Sequence, residues 1–370
     1  MKNCLMSRFN NRSSRSARLF LASSLSTLIL ILIAGGVAVY AQNRDRQLPV
    51  VTYNMYLGTD FTEIFSVQTN EELFAEVAEA YGDVQTGNPG ERIAAIADQI
   101  EASRPTLVGL QEVALWRTGD LFLPAPATNV SFDFLQMLLD ELDKRGLAYR
   151  AAAVHTGFDA ELPGIGPNIV ADVRFTDRDV ILVRTDLKIS QLKIESSQAG
   201  TFKTLLTFPV FFGSVTIQRG WVSIDAKMRG QTYRFINAHT EAFHPVVQYI
   251  QTGELMQGPA STSLPVILAG DFNSDAETGE ASYMLMLNEG FADAWDAVHP
   301  SDPGFTWPLF IESPLIFTPP SQRLDLALFR GTIRAVNADR LGEDPVTDIT
   351  PSGLRPSDHA GVSATLVLEP

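Results

Sequence analysis

Six short apolar segments, each carrying carboxylates, amides or histidines, constrain the fold of this chain more than any other feature of its sequence. Apolar runs of this length are typical of buried strands. We expect these strands to pack in one core, with their polar residues converging at one site. The segments and their polar residues are TYNMYLG with Asn54, LVGLQEV with Gln111 and Glu112, FINAHTEA with Asn237 and His239, LAGDFN with Asp271 and Asn273, PSDHAGV with Asp358 and His359, and RLDLALF with Asp325.

Helical periodicity alternates with strand patterns in the first half of the chain. Apolar residues recur at helical spacing in 71–81, 92–103 and 132–145. The second half is predicted to be mostly strands, at 179–183, 220–224, 233–238, 264–272, 324–329 and 360–368. We see no repeat and no linker, so this order favours one layered α/β catalytic domain over residues 48–370.

The first 41 residues have the pattern of a targeting segment. Residues 1–18 contain five basic residues and no acidic residue, and an apolar run follows over 19–40. Small residues near position 41 suit cleavage of a signal peptide, whereas the length of the run also suits an uncleaved signal anchor. Both alternatives export the remainder, because the basic flank stays in the cytoplasm. We therefore predict a secreted or extracytoplasmic protein, with a transmembrane helix if the anchor is kept.

The charge of the chain limits its partners. Acidic residues outnumber basic ones by 43 to 28, and the formal net charge is −15. Without the five basic residues of the leader, the remainder carries 43 acids and 23 bases, a net charge of −20. This excludes a broadly basic nucleic-acid surface and opposes long-range attraction to a polyanion. The single cysteine, Cys4, lies in the leader, so the domain contains no internal disulfide.

The polar residue types are those of metal-assisted chemistry on phosphorus. Carboxylate and amide oxygens without cysteine suit Mg²⁺, with Mn²⁺ or Ca²⁺ as alternatives, better than structural zinc. Histidines beside carboxylates transfer protons near neutral pH. Asp325 lies between Leu324 and Leu326, where an unpaired carboxylate is costly to bury, so we expect a cationic or protonated partner beside it.

The order of these motifs resembles that of the endonuclease/exonuclease/phosphatase superfamily, which includes DNase I-like and neutral sphingomyelinase-like enzymes. The anchors TYNMYLG, LQEV, NAHTEA, GDFN, RLDLALF and SDHAG fall within residues 49–368. The resemblance implies an α/β fold, namely a four-layer αββα sandwich of two packed mixed β-sheets with outer helices. It also implies a metal-dependent hydrolase of phosphodiesters, with its site at one end of the sheets.

The resemblance implies a role for each polar residue. Glu112 corresponds to the main Mg²⁺ ligand, with Asn54 beside it and Asp358 near the metal. Asp271 corresponds to the carboxylate that orients or deprotonates the attacking water. Asn273 corresponds to the amide that holds a phosphoryl oxygen, and Asn54 is also expected to contact the phosphate.

Two histidines complete the implied site. His239 corresponds to a catalytic histidine that also contacts the phosphate, and His359 to a second one that takes part in acid–base chemistry. Asp325 corresponds to the aspartate that pairs with His359, which would explain a carboxylate in an apolar strand. Arg178 lies where the family often has a basic phosphate contact. We interpret His155 as a surface-loop histidine.

The family does not determine the substrate, so residues outside the site must indicate it. The segments 205–215 and 307–320 are apolar, and we expect one or both to form a rim that enters a membrane interface or holds an acyl chain. Edge strands and covering loops are the alternative. A rim of this kind favours a sphingomyelinase-like enzyme, whose substrate is a lipid phosphodiester.

Two other functions are kept as alternatives. An extracellular DNase I-like nuclease is less favoured, because no cluster of basic residues is found. A catalytically inactive binding module of the same fold is disfavoured, because none of the six anchors has lost its polar residue. No protein partner is implied.

Overall fold

Two β-sheets carry the apolar segments in the computed structural model, which describes residues 46–228, 230–309 and 319–369. The strands are β1 (Gln47–Asn54), β2 (Leu107–Gln111), β3 (Leu115–Gly119), β4 (Asn129–Asp133), β5 (Tyr149–Gly166), β6 (Ile169–Arg184), β7 (Lys193–Thr201), β8 (Leu206–Val210), β9 (Gly213–Ile217), β10 (Gly220–Met228), β11 (Gln231–His239), β12 (Val266–Asp271), β13 (Ala292–Asp293), β14 (Asp325–Arg330), β15 (Ile333–Leu341) and β16 (Gly361–Leu368). The helices are α1 (Thr62–Ser66), α2 (Asn70–Thr86), α3 (Pro89–Ser103), α4 (Phe134–Lys144), α5 (Pro245–Gln257), α6 (Ala281–Asn288) and α7 (Ala294–Val298).

The larger sheet places the first two polar strand ends side by side. Its strand order is β15-β16-β1-β2-β6-β3-β4, and β5 also pairs with β6. β1 and β2 are parallel, with Asn54 opposite Gln111. Because parallel strands end at the same edge of a sheet, Asn54 and the residue after Gln111, Glu112, come together there.

The smaller sheet has the strand order β13-β14-β12-β11-β10-β7. β11 and β12 are parallel, with His239 opposite Asp271. β14 runs antiparallel to β12 and begins with Asp325 opposite Asp271. The pairing register therefore puts His239, Asp271 and Asp325 in one row at the end of this sheet.

The two sheets pack face to face, and helices cover their outer faces. Along β1, Val50 packs in the core between the sheets, whereas Val51 packs in the core beneath α2, α3 and α4. This burial on both faces explains why β1 is a continuous apolar run. A third core lies between the smaller sheet and helices α5 and α6. The predicted four-layer αββα sandwich is confirmed.

A buried amide ties the two sheets together near their polar ends. Asn237 of β11 donates through Nδ2 to the carbonyl oxygens of Leu110 and Val180, at 2.9 and 3.2 Å. Its Oδ1 accepts a hydrogen bond from the Gln111 side chain. Since these three partners belong to the larger sheet, Asn237 holds the sheets in register two residues before His239.

The structure differs from the sequence prediction most at the hairpin of β5 and β6. The sequence predicts only 179–183 as a strand there, because β5 is half-exposed along most of its length and shows no clean apolar alternation. The apolar segment 205–215 forms the hairpin of β8 and β9, a two-stranded sheet separate from the two larger sheets. Residues 310–318 of the second apolar segment lie outside the described residues.

The predicted leader, residues 1–41, also lies outside the described residues. Among the helices that the structure does describe, none combines the length and the apolar character needed to cross a bilayer.

Candidate active site

The polar strand ends of the two sheets line one cleft of about 590 Å³. It brings together predicted residues from segments far apart in the sequence, namely Glu112, His239, Asp271, Asn273, Asp358 and His359. Asn54 and Asp325 are buried directly behind this surface, each bonded to a lining residue. The predicted convergence of these eight residues is therefore present in the fold.

Glu112 is presented to the cleft by a turn directly after β2. Its backbone has φ = 56°, a left-handed conformation that is uncommon for a residue with a side chain. The Glu112 Oε2 atom accepts a hydrogen bond from the backbone N–H of Leu57 at 2.9 Å. Burial, and then the nearby carboxylates of Asp358 and Asp177, raise the pKa of Glu112 to about 8. Such a crowded carboxylate is stabilised by a cation.

Asp271 is held by two asparagine residues. Asn54 Nδ2 donates to Asp271 Oδ2 at 3.0 Å, and the backbone N–H of Asn273 donates to Asp271 Oδ1 at 2.9 Å. Burial raises the pKa of Asp271 to about 6, and the charge of Asp325 adds to this effect. A carboxylate with this pKa suits proton abstraction near neutral pH.

The strand that carries Asp271 requires glycine just before it. Gly270 has φ = 154°, and a Cβ atom there would collide with the carbonyl oxygen of Ala238 on β11. The close approach of β11 and β12 at this point sets His239 against Asp271. Glycine is therefore required by the geometry of the site.

His359 and Asp325 form the predicted pair. His359 Nδ1 lies 2.8 Å from Asp325 Oδ2, and His359 Nε2 lies 3.8 Å from Asp271 Oδ2. Burial lowers the pKa of His359, but the surrounding carboxylates outweigh it, Asp325 most of all, and raise that pKa well above its usual value. The pair therefore offers a protonated Nε2 toward the cleft.

His239 has a partner that sequence analysis missed. Arg219, which precedes β10, places its Nη1 atom 2.8 Å from His239 Nδ1 and 3.3 Å from Asp177 Oδ2. Because a guanidinium only donates, His239 Nδ1 accepts and Nε2 carries the hydrogen. That Nε2 lies 3.6 Å from Asp271 Oδ2. Burial, and then the charge of Arg219, lower the pKa of His239 well below its usual value.

Arg178 does not line the cleft, so its predicted contact with phosphate does not fit this structure. Its guanidinium donates to the carbonyl oxygens of Val113 and Ala114, at 2.8 and 3.2 Å, and pairs with Asp133 at 2.6 Å. Successive side chains of a strand point to opposite faces. The cleft residue of this segment is Asp177, and the alternation in TDRDV is the signal that could have identified it.

His155 is not a surface-loop histidine, because it is buried on β5. Its Nδ1 lies 3.1 Å from Asp179 Oδ2, and its Nε2 lies 3.0 Å from Thr201 Oγ1. Both ring nitrogens are therefore used within the fold, and His155 is not among the residues that line the cleft.

The charges around the cleft fit a bound divalent cation. Its described lining contains six carboxylates but one guanidinium, that of Arg219. An anionic phosphate would be repelled by this surface without added positive charge. Two sets of residues offer ligand atoms, the predicted set of Glu112, Asn54 and Asp358 and the buried cluster of Asp271, Asp325 and His359, whose ligand atoms lie within 4.8 Å of one another. Hydrogen bonds engage atoms of both sets: His359 Nδ1 bonds Asp325, whereas Asn54 Oδ1 accepts from the Tyr56 N–H and Glu112 Oε2 from the Leu57 N–H.

A layered αββα sandwich with carboxylates, amides and two histidines at one end of its sheets defines a class of phosphoesterase folds. The sequence model of the Endonuclease/Exonuclease/phosphatase family matches residues 51–359. This match covers most of the chain and all six motifs, so the protein belongs to the Endonuclease/Exonuclease/phosphatase family. No curated protein matches the sequence.

Solved structures with the same fold share little sequence with this chain. An endonuclease/exonuclease/phosphatase family protein from Leptotrichia buccalis is 18% identical, with a TM-score of 0.53 over 86% of this chain and 99% of that one. The mannosyl-6-phosphatase of Bacteroides thetaiotaomicron is 18% identical, with a TM-score of 0.51 over 86% and 99%. D. rerio TDP2, solved with a single-strand DNA product, is 16% identical, with a TM-score of 0.50 over 86% and 98%.

Proposed function

We propose that this protein is an exported, Mg²⁺-dependent and sphingomyelinase-like phosphodiesterase that hydrolyses a lipid phosphodiester by in-line attack of water. The observation that carries the chemistry is the meeting of Glu112, Asp271 and the His359–Asp325 pair at one cleft. The predicted leader supports export. The part of the cleft lining that the structure describes, with one guanidinium among six carboxylates, favours a substrate that presents a single phosphate over a polyanion.

Glu112, Asn54 and Asp358 would hold the metal. When bound there, a divalent cation supplies positive charge to a phosphoryl oxygen and to the leaving oxygen. The amide of Asn54 also aligns Asp271 through its 3.0 Å hydrogen bond. The three residues thus place the positive charge next to the group that activates water.

The remaining residues activate water and move protons. Asp271 accepts a proton from the attacking water, because its pKa of about 6 leaves it ionised at neutral pH. His239 donates a hydrogen bond through Nε2 to a phosphoryl oxygen, and Asn273 stabilises a second oxygen. His359, kept protonated by Asp325, delivers a proton to the leaving alkoxide.

A substrate panel tests the proposal. The full chain is assayed with Mg²⁺ and with EDTA on sphingomyelin, phosphatidylcholine, a phosphoinositide, plasmid DNA, RNA and bis-p-nitrophenyl phosphate. We expect Mg²⁺-dependent release of phosphocholine from sphingomyelin and no activity in EDTA. The matched controls are Asp271→Asn, which should be inactive, and Asp120→Asn, an exposed carboxylate that does not line the cleft and should change nothing.

The other outcomes contradict the proposal in different ways. If plasmid DNA is nicked faster than any lipid is hydrolysed, with a strong dependence on salt, the protein is a nuclease and the lipid proposal is wrong. No hydrolysis of any member of the panel, by a folded protein with Mg²⁺ present, would replace it with the binding module.

A further inference from the structure

An apolar cavity of about 350 Å³ lies beside the catalytic cleft. It is lined by α1, α2, the larger sheet around β3, β5 and β6, and the hairpin of β8 and β9. Its volume falls in the range of pockets that bind small ligands. The large apolar side chains of its lining are Phe61, Ile64, Phe65, Val77, Trp116, Phe158, Leu162, Val173, Phe175, Phe212 and Val215.

Aromatic contacts hold the walls of this cavity in place. The ring of Phe175 lies 4.9 Å from that of Phe61 and 4.8 Å from that of Trp116, measured between centroids. On the hairpin side, Phe65 meets Phe208 edge-on at 5.2 Å. Rings packed in this way stabilise one another, so the cavity has ordered walls built from the sheet, from α1 and from the hairpin.

The cavity and the catalytic cleft share a wall. Five residues line both of them, namely Phe61, Phe65, Phe158, Phe175 and Gln218. Three of them are close in sequence to charged residues of the cleft: Phe61 follows Asp60, Phe175 lies two residues before Asp177, and Gln218 precedes Arg219. A molecule whose phosphate lies in the cleft can therefore extend its apolar part along this shared wall.

The lining offers a ligand apolar surface and no unpaired charge. Asp159 is the one charged residue among the described residues that line the cavity. Arg174 Nε donates to its carboxylate at 2.9 Å, and Arg117 Nη2 lies 3.3 Å from it. Its charge is therefore already neutralised, and burial of methylene groups is the favourable interaction that remains.

We propose that this cavity binds the alkyl chain of the leaving alcohol while the phosphate occupies the catalytic cleft. The inference rests on the proposed function, and it identifies the substrate as a phosphodiester whose leaving alcohol carries an extended apolar chain. Phe212, which packs against the apolar core at the hairpin turn, forms part of the wall. Phe211, its neighbour, is 47% exposed and does not line the cavity.

A series of alkyl phosphocholines tests the chain-length dependence. The butyl and octyl esters have leaving alcohols of nearly equal reactivity, so a difference in kcat/KM reports binding of the chain. Below the micellar concentration and with Mg²⁺, we expect kcat/KM to rise about fourfold per added methylene, or about two-hundredfold from butyl to octyl. A ratio within twofold would overturn the inference.

Two neighbouring phenylalanines provide the matched variants. Phe212→Ala should lower the octyl-to-butyl ratio at least fivefold, whereas Phe211→Ala should leave the ratio unchanged. Ser214→Trp, on the exposed rim of the cavity, should lower the ratio by filling space, without deleting core atoms. If Phe211→Ala lowers the ratio and Phe212→Ala and Ser214→Trp do not, the exposed tip of the hairpin contacts the chain and the cavity does not hold it.

A binding measurement separates this inference from the proposed function. In the inactive variant Asp271→Asn with Mg²⁺ present, an octyl phosphocholine brominated at the end of its chain should quench the fluorescence of Trp116, which lines the cavity. The quenching should be lost when Trp116→Phe is added to Asp271→Asn. Quenching without any hydrolysis in Mg²⁺ would overturn the proposed function alone. Hydrolysis without quenching and without chain-length dependence would overturn this inference alone.

Discussion

His359 Nδ1 and Asp325 Oδ2 lie 2.8 Å apart, although 34 residues separate them in the chain. The pair is buried, and it connects the start of β14 with the turn before β16. Asp325 therefore has the cationic partner that an isolated carboxylate in an apolar strand requires.

Replacing Asp325 should change the pH dependence of catalysis. Asp325 raises the pKa of His359, so Asp325→Asn lowers that pKa. If His359 acts as the protonated acid, activity is lost as pH rises through its pKa, and the alkaline limb of the kcat/KM profile moves to lower pH. We also expect kcat to fall at least about tenfold. An unchanged alkaline limb would contradict the acid role.

Removing either central catalytic group should abolish most of the activity without unfolding the protein. Asp271→Asn and His359→Ala should each lower kcat by at least about a hundredfold, the scale of a lost acid–base or oxyanion group. Steady-state kinetics on the preferred substrate and circular dichroism of both variants provide the check. Turnover within twofold of the parent protein would disprove the assigned roles.

Arg219 should act through His239. Burial, and then the guanidinium, lower the pKa of His239, so Arg219→Ala should raise that pKa. The imidazole titration can be followed by NMR, with His239→Gln to assign the signal. We expect kcat to fall more than tenfold in Arg219→Ala and less in Arg219→Lys, which retains a positive charge. The same His239 titration in the parent and in Arg219→Ala would refute this positioning.

The stability of the metal-free protein should fall as pH rises. The pKa of Glu112 is about 8 in the folded protein and about 4.5 in an unfolded chain. Between these values the folded state holds the extra proton, so the free energy of unfolding decreases with pH. Mg²⁺ should offset the loss and raise Tm at pH 8 by at least about 2 °C. Thermal unfolding of the parent and of Glu112→Gln, in EDTA and in Mg²⁺, measures this; equal Mg²⁺ effects on both would exclude Glu112 as a ligand.

Two glycines should respond oppositely to substitution by alanine. Gly270→Ala should destabilise the protein by about 3 kcal/mol or more, because the Cβ would collide with the Ala238 carbonyl at a φ of 154°. Gly253→Ala, in helix α5 with open space at the Cβ position, should stabilise it by about 0.5–1 kcal/mol. Urea unfolding of both variants provides the comparison, and equal effects would contradict the strand geometry.

Much of the site could be predicted from local sequence. GDFN, SDH and LQEV each join a buried strand to residues that bind cations or transfer protons, and the fold brings Asp271, His359 and Glu112 to one cleft. The prediction succeeded there because a short apolar run ending in polar residues determines both the strand and the place where it meets solvent. The cost of burying a lone carboxylate predicted a cationic or protonated partner for Asp325, and the family resemblance implied that this partner is His359.

The sequence by itself determined the layered class of the fold and the polar strand ends, because periodicity and burial act over a few residues. Only the tertiary structure decided which arginine side chain lines the cleft. Arg219 has no motif around it and reaches His239 through the packing of β10 beside β11, whereas Arg178 points to the opposite face of β6 from its neighbour Asp177. The apolar cavity is likewise formed by α1, β6 and the β8–β9 hairpin, and contacts between segments this distant depend on how the sheets pack.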